Sequence, residues 1–203
     1  IVAHQAIPII SFTGETQTGK AMSAVAAPMF KKLSLELGGK NANIVFEDCE
    51  FDEAVKTSVR AAFANQGQIC LCGSRIYVQR SIYDKFKEAF VARVKGLTVG
   101  DPLEESTRTG AVVSKAHFEK VLSHIAVAEE EGGKILIGGN PVQLEGRCEN
   151  GYFIEPTVFE NLDATCRTNQ EEIFGPVVTL TPFDTEEEAL TMANSTAYGL
   201  AAT

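Results

Sequence analysis

The chain has no tryptophan, three histidines and only five cysteines among its 203 residues. The cysteines lack the dense spacing of a disulfide scaffold and their number is odd, which points to free thiols, a reducing compartment and a cytoplasmic location. His4, His117 and His124 lie near no cysteine pair, and the "CLC" of Cys70 to Cys72 lacks the second pair that a zinc site requires, so no metal is expected. Basic residues are short as well: 18 Lys and Arg against 27 Asp and Glu leave a net charge of −9. Without a basic run, neither nucleic acid nor an anionic membrane surface is expected as a partner. No apolar stretch approaches the ~20 residues of a membrane span, and no signal-peptide pattern is visible. Internal repeats and low-complexity linkers are missing too.

What is present is ordinary core-forming material, 44% hydrophobic and 22% charged, arranged in strand-length runs that alternate with helical patterns. The strands expected are Pro8–Thr13, Leu33–Leu37, Asn43–Phe46, Arg75–Gln79, Lys134–Ile137, Tyr152–Phe159 and Val177–Pro182. Between them Phe51, Ala54, Val55, Val59, Ala62 and Phe63 recur at helical spacing, with Asp52 and Glu53 in the first turn. Ser81 and Asp84 predict a capping box for a second helix. A third is predicted from about Ser114 to Gly132-Gly133, and Thr185 with Glu188 caps a fourth. Strands joined by helices of this length require crossover connections, hence an α/β fold with a mostly parallel twisted sheet and helices on both faces. The pattern breaks at "GGK", which sets a boundary between residues 1–37 and 38–203. The chain opens without an initiator Met and stops at "YGLAAT" inside a strand-like run, as a piece of a longer protein would.

Four short segments carry residues suited to chemistry. In "FANQGQICLCGS", Cys70 lies in a polar, Gly-containing turn between a helix and a strand, off any periodic core position. A buried inert thiol is one reading; a nucleophile with nearby N–H donors is the other. Cys72 reads as packing, sharing a face with Cys70 if the strand has begun. In "LSLELGGK", Glu36 is flanked by Leu35 and Leu37 and followed by two glycines. It is either the outward residue of a half-buried strand or a partly desolvated carboxyl whose pKa rises into the range of a general base. "SFTGETQTGK" ends a strand in a turn that offers N–H groups to a phosphate, although its spacing is neither a P-loop nor GxGxxG. "QEEIFGPVV" sets Glu171 and Glu172 beside Phe174 and a Gly-Pro break, a capped turn or a ribose site with an aromatic wall.

Taken in order, these segments resemble the aldehyde dehydrogenase superfamily along essentially all of the chain. The resemblance implies Cys70 as catalytic nucleophile and Glu36 as general base. It places Gly14, Glu15, Leu37 and Gly38 on the cofactor side, with Glu172 on the ribose and Phe174 beside the nicotinamide. Residues 1–37 would then be the end of a Rossmann-like dinucleotide-binding domain and 38–203 the nucleophile-bearing catalytic domain, cut short at its C-terminus. The implied reaction is NAD-dependent oxidation of a small-molecule aldehyde to a carboxylic acid through a thiohemiacetal and a thioester, with NADP left open because the residue that usually decides lies upstream. The full-length protein is implied to be a homo-oligomer. Glu15 stands where Ser is common in the family, and "FTGET" with "KNANIVFEDCEFDEA" resembles the branch acting on muconic semialdehydes. Two alternatives remain: a relative that passes its acyl group to coenzyme A, which Glu36 speaks against, and a structural fragment without turnover.

Overall fold

A computed structural model describes residues 1–203, and the chain divides just past Leu37 into two units, Ile1–Gly39 and Lys40–Thr203. The first unit consists of strand β1 (Ile9–Thr13), helix α1 (Thr16–Ala26) and strand β2 (Lys32–Glu36). The strands pair in parallel, from Ile9 opposite Lys32 to Thr13 opposite Glu36. Two strands and one helix bury little: in this unit Ile10 and Ala26 are the buried apolar side chains, while Ile9 and Phe30 stand exposed.

The second unit carries β3 (Ala42–Val45), α2 (Phe51–Phe63), β4 (Arg75–Gln79), α3 (Arg80–Lys95), α4 (Lys115–Glu130), β5 (Lys134–Ile137), β6 (Pro141–Val142), β7 (Phe153–Ile154), β8 (Thr157–Glu160), α5 (Arg167–Gln170), β9 (Val177–Phe183) and α6 (Glu186–Ala193). Five strands form one sheet in the order β3-β4-β9-β8-β5. All neighbours run parallel except β5, which is antiparallel to β8. Because successive residues of a strand face opposite sides, the alternation assigns each helix to a face. Ile76, Val78, Val158, Val178 and Leu180 pack against Val55 and Val59 of α2 and Phe86 and Phe90 of α3. Their sequence neighbours turn the other way: Tyr77 and Phe183 meet Ala189 of α6, and Phe159 and Val177 meet Val121 and Ile125 of α4. The expected doubly covered α/β sheet is what forms. No helix is long and apolar enough to cross a membrane.

Two expectations are corrected. The run from Tyr152 to Phe159 is two strands, because Pro156 lacks the N–H that a continuous ladder needs. Ser81 does not cap α3, which begins at Arg80; its hydroxyl donates instead to Glu47 Oε2 at 2.6 Å. Ser114 and Thr185 do cap their helices, accepting from the N–H groups of His117 and Glu188.

One buried side chain ties the sheet edge to a helix end. Arg75 is 1% exposed and donates to the carbonyls of Lys40 (2.8 Å), Met192 (2.9 Å) and Ala193 (2.8 Å). Those last two carbonyls close α6, so the negative end of the helix dipole compensates the guanidinium charge. Beyond α6 the chain returns to β3, where Thr203 N–H donates to Ala42 O and Ile44 N–H donates to Thr203 O.

Candidate active site

Helix α2 runs out at Phe63, and the next residues adopt a conformation that L-residues avoid. Asn65, Gln66 and Gly67 are all left-handed, with φ of 50°, 57° and 70°. The kink is held by Asn65 Nδ2 donating to Gln68 O at 3.1 Å and by Gln68 Oε1 accepting the Val113 N–H at 3.0 Å. It leads into a tight turn, closed by Cys72 N–H donating to Ile69 O at 3.0 Å. Cys70 and Leu71 are the central residues of that turn, so their own N–H groups point outward and meet no backbone acceptor. Cys70 is half-buried and Leu71 is exposed, whereas Cys72 is buried, and burial pushes the Cys72 thiol up. The strand does not begin until Arg75, so Cys72 does not share a strand face with Cys70.

A second turn stands directly against this one. A Cβ added at Gly67 would lie 2.1 Å from the carbonyl oxygen of Gly175, so the backbones of "NQGQ" and "IFGP" touch. Phe174 is itself left-handed, with φ of 59°. Its carbonyl lies 2.6 Å from His117 Nε2 on α4, and the two rings meet edge to face with centroids 6.0 Å apart. One helical turn along, Lys120 Nζ donates to the Glu172 carbonyl at 3.0 Å. Glu171 is engaged elsewhere, in a forked pair with Arg167 at 2.9 and 3.0 Å; that guanidinium holds its carboxyl below the usual range. The structure therefore separates two adjacent carboxylates that residue type alone leaves alike. Glu171 braces α5, and Glu172 is half-buried with its backbone pinned.

The remaining predicted residues gather in the first unit. Gly14 N–H donates to Glu36 O at 3.0 Å, and Gly38 N–H donates to Thr16 Oγ1 at 3.2 Å. Leu37 lies over Gly19, where a Cβ would come within 2.6 Å of Leu37 Cδ2. Glu15 is the N-cap of α1, and its Oε2 accepts the Thr18 N–H at 3.1 Å. The acid thus folds onto the positive end of its own helix, the favourable place for a carboxylate. Glu36 is exposed at the end of β2. Of the two readings of Glu36, the outward residue of a half-buried strand is the one that forms, because strand alternation turns Leu35 away from it.

The sequence pattern described as the aldehyde dehydrogenase family matches residues 1–203. The chain belongs to the aldehyde dehydrogenase family. It is 50% identical over 205 residues to 2-aminomuconic semialdehyde dehydrogenase of Mus musculus, covering all of this chain and 42% of that protein. It is 49% identical to 4-trimethylaminobutyraldehyde dehydrogenase A of Danio rerio, over 98% of this chain and 39% of that protein. Among solved structures, betaine aldehyde dehydrogenase of Staphylococcus aureus in complex with NAD+ superposes with a TM-score of 0.92 at 43% identity, covering 99% of this chain and 40% of that one. The chain thus spans well under half the length of the family members it matches.

Several further polar residues of this aldehyde dehydrogenase segment are buried in the second unit or line α4. Lys40, in the "GGK" that breaks the sequence pattern, is 3% exposed. Burial, with Arg75 adding to it, lowers its pKa to about 7, while Cys166 and Glu172 oppose the shift. Asn41, beside it, is buried and bonded to the cysteine turn. His117, Lys120 and His124 recur on one stripe of α4, and that spacing of polar residues within an amphipathic helix was the available signal. His124 is buried, 3.9 Å from Glu171; burial first, then Lys120, lowers its pKa.

Proposed function

We propose that this chain is the nucleophile-bearing segment of an NAD-dependent aldehyde dehydrogenase that oxidises an aldehyde to a carboxylic acid. The observation that carries the reading is the backbone contact of Gly67 with Gly175, which sets the Cys70 turn against the turn of Glu172 and Phe174. A thiol placed centrally in a turn with outward N–H groups is suited to attack a carbonyl and to steady the oxygen anion that results. In the first step the Cys70 thiolate bonds to the aldehyde carbon and the carbonyl π pair moves to oxygen. The carbon then loses its hydrogen with the bonding pair, leaving a thioester on Cys70. In the role that the family resemblance implies for it, Glu36 would take a proton from water; the oxygen of that water attacks the thioester carbon, and the Cys70 thiolate leaves as the acid is released.

NAD supplies the hydride acceptor when bound. The residues present fit that group. Helix α1 opens at Thr16 and Gln17, first-turn residues whose N–H groups have no intrahelical acceptor and suit phosphate oxygens. Glu172, its backbone held by Lys120, would accept the ribose hydroxyls, and Phe174 would bound the nicotinamide. Residues 1–37 are accordingly read as the end of the dinucleotide-binding domain and 38–203 as catalytic domain. A muconic-type semialdehyde is the favoured substrate, because relatives at 45–50% identity include enzymes named for 2-aminomuconic semialdehyde in Mus musculus and Pseudomonas sp. All five cysteines are free, which fits a reducing cytoplasm. In the full-length protein, Cys70→Ala should abolish NADH formation with such an aldehyde and Cys72→Ala should leave most of it. The reverse pattern would move the nucleophile to Cys72.

A further inference from the structure

Asn41 sits at the foot of β3, 4% exposed, with its amide fully occupied by backbone. Its Nδ2 donates to Cys70 O at 2.6 Å and to Cys72 O at 3.1 Å. Its Oδ1 accepts the Ala201 N–H at 3.1 Å. The partners fix which end of the amide is nitrogen, since two carbonyls need donors and one N–H needs an acceptor. Its main-chain carbonyl accepts the Arg75 N–H at 3.3 Å, and Arg75 in turn holds the carbonyl of Lys40. Asn41 is therefore anchored from behind while it grips the turn in front.

We infer that Asn41 is the positioning residue of the nucleophile, fixing the peptide plane of Cys70 through its carbonyl. This rests on the reading of Cys70 as the attacking thiol. The peptide bond is planar and trans, so a carbonyl held toward Asn41 sends the Leu71 N–H the opposite way. Holding that plane also holds ψ of Cys70, which limits the staggered positions its sulfur can take. The second donor restrains Cys72 O, so both ends of the Cys70–Cys72 step are tied to one side chain. The Cys70 thiol itself stays half-buried at the surface of the turn. Other buried amides in the unit do not do this: Asn43 bonds Ser58, and Asn169 bonds Asp163 and Thr179.

The test uses Asn41→Asp and Asn41→Ser in the full-length enzyme, with Cys70→Ala alongside. Asp keeps the shape and puts an acceptor against two carbonyls; Ser keeps one short donor. Asn41→Asp should lower kcat about 10- to 100-fold, the scale of a misplaced reacting group, with the KM for NAD unchanged. Alkylation of Cys70 by iodoacetamide should slow in parallel while Cys72 stays unlabelled, and Asn41→Ser should fall between Asp and wild type. Wild-type kcat and Cys70 alkylation in Asn41→Asp would overturn the positioning role. So would a loss accompanied by Cys72 labelling, since that marks a turn that has simply opened. If Asn41→Asp does not fold, Asn41→Ser decides, and wild-type kcat there overturns the role. Turnover surviving in Cys70→Ala would remove the underlying reading instead.

Discussion

Replacing Gly67 with alanine tests whether the cysteine turn and the Phe174 turn work as one unit. Two costs combine there. The backbone is left-handed at φ of 70°, which costs an L-residue about 1–2 kcal/mol. The new methyl would also lie 2.1 Å from Gly175 O and 2.5 Å from Gly175 C, atoms of backbone that cannot rotate aside. Overpacking of that kind costs about 1–3 kcal/mol, so Gly67→Ala should destabilise by about 2–5 kcal/mol. Gly146 supplies the control: its φ is 64° and nothing lies within 4 Å of a Cβ built on it. Gly146→Ala should therefore lose only the conformational part; the gain of about 0.4–1 kcal/mol from a stiffer unfolded chain is common to both variants and cancels in the comparison. Urea denaturation of both variants measures the difference, and single-turnover NADH formation reports whether the nucleophile has shifted. Equal stability losses at the two positions would refute the close contact.

Three further outcomes follow from named groups. Lys40, with a usual pKa of 10.5 lowered to about 7 by burial, binds its proton in the unfolded chain and not in the fold between those values. Stability should rise with pH across that window, by up to about 1.4 kcal/mol per unit, with the penalty constant below it; a Lys40→Met protein showing the same pH slope in chemical denaturation would discount this. Glu36→Gln should keep hydride loss and lose thioester hydrolysis, giving one equivalent of NADH followed by turnover about 10²–10⁴-fold slower; wild-type steady-state turnover would remove Glu36 from the mechanism. Glu15→Ser should leave thermal stability nearly unchanged, because serine also caps a helix N-terminus. It should tighten NAD binding by removing a negative charge from the phosphate turn, and an unaltered Kd by fluorescence titration would show that this charge is already neutralised.

The alternation of Ile76, Tyr77 and Val78, the caps at Ser114 and Thr185, and the apolar stripe of α2 were legible in the sequence. Each depends on residues within four positions, and backbone geometry converts that spacing directly into a face or a helix end. The placement of Cys70 in a polar turn, off the periodic pattern, was legible for the same reason. What lay beyond local reading was decided by segments far apart in the chain. Ser81 has the spacing of a cap but finds Glu47 nearer. Glu171 and Glu172 are alike in sequence until Arg167 takes one of them. Glu36, between two leucines, looks buried in a one-dimensional string and is exposed on a strand. Lys40 stands in the "GGK" that breaks the sequence pattern, and it is enclosed beside Arg75. Burial and hydrogen bonding are properties of whatever packs alongside, so the residue types available for chemistry were set by the sequence. Which of them are buried, gripped or turned outward was set only when Asn41 met Cys70 and Gly67 met Gly175.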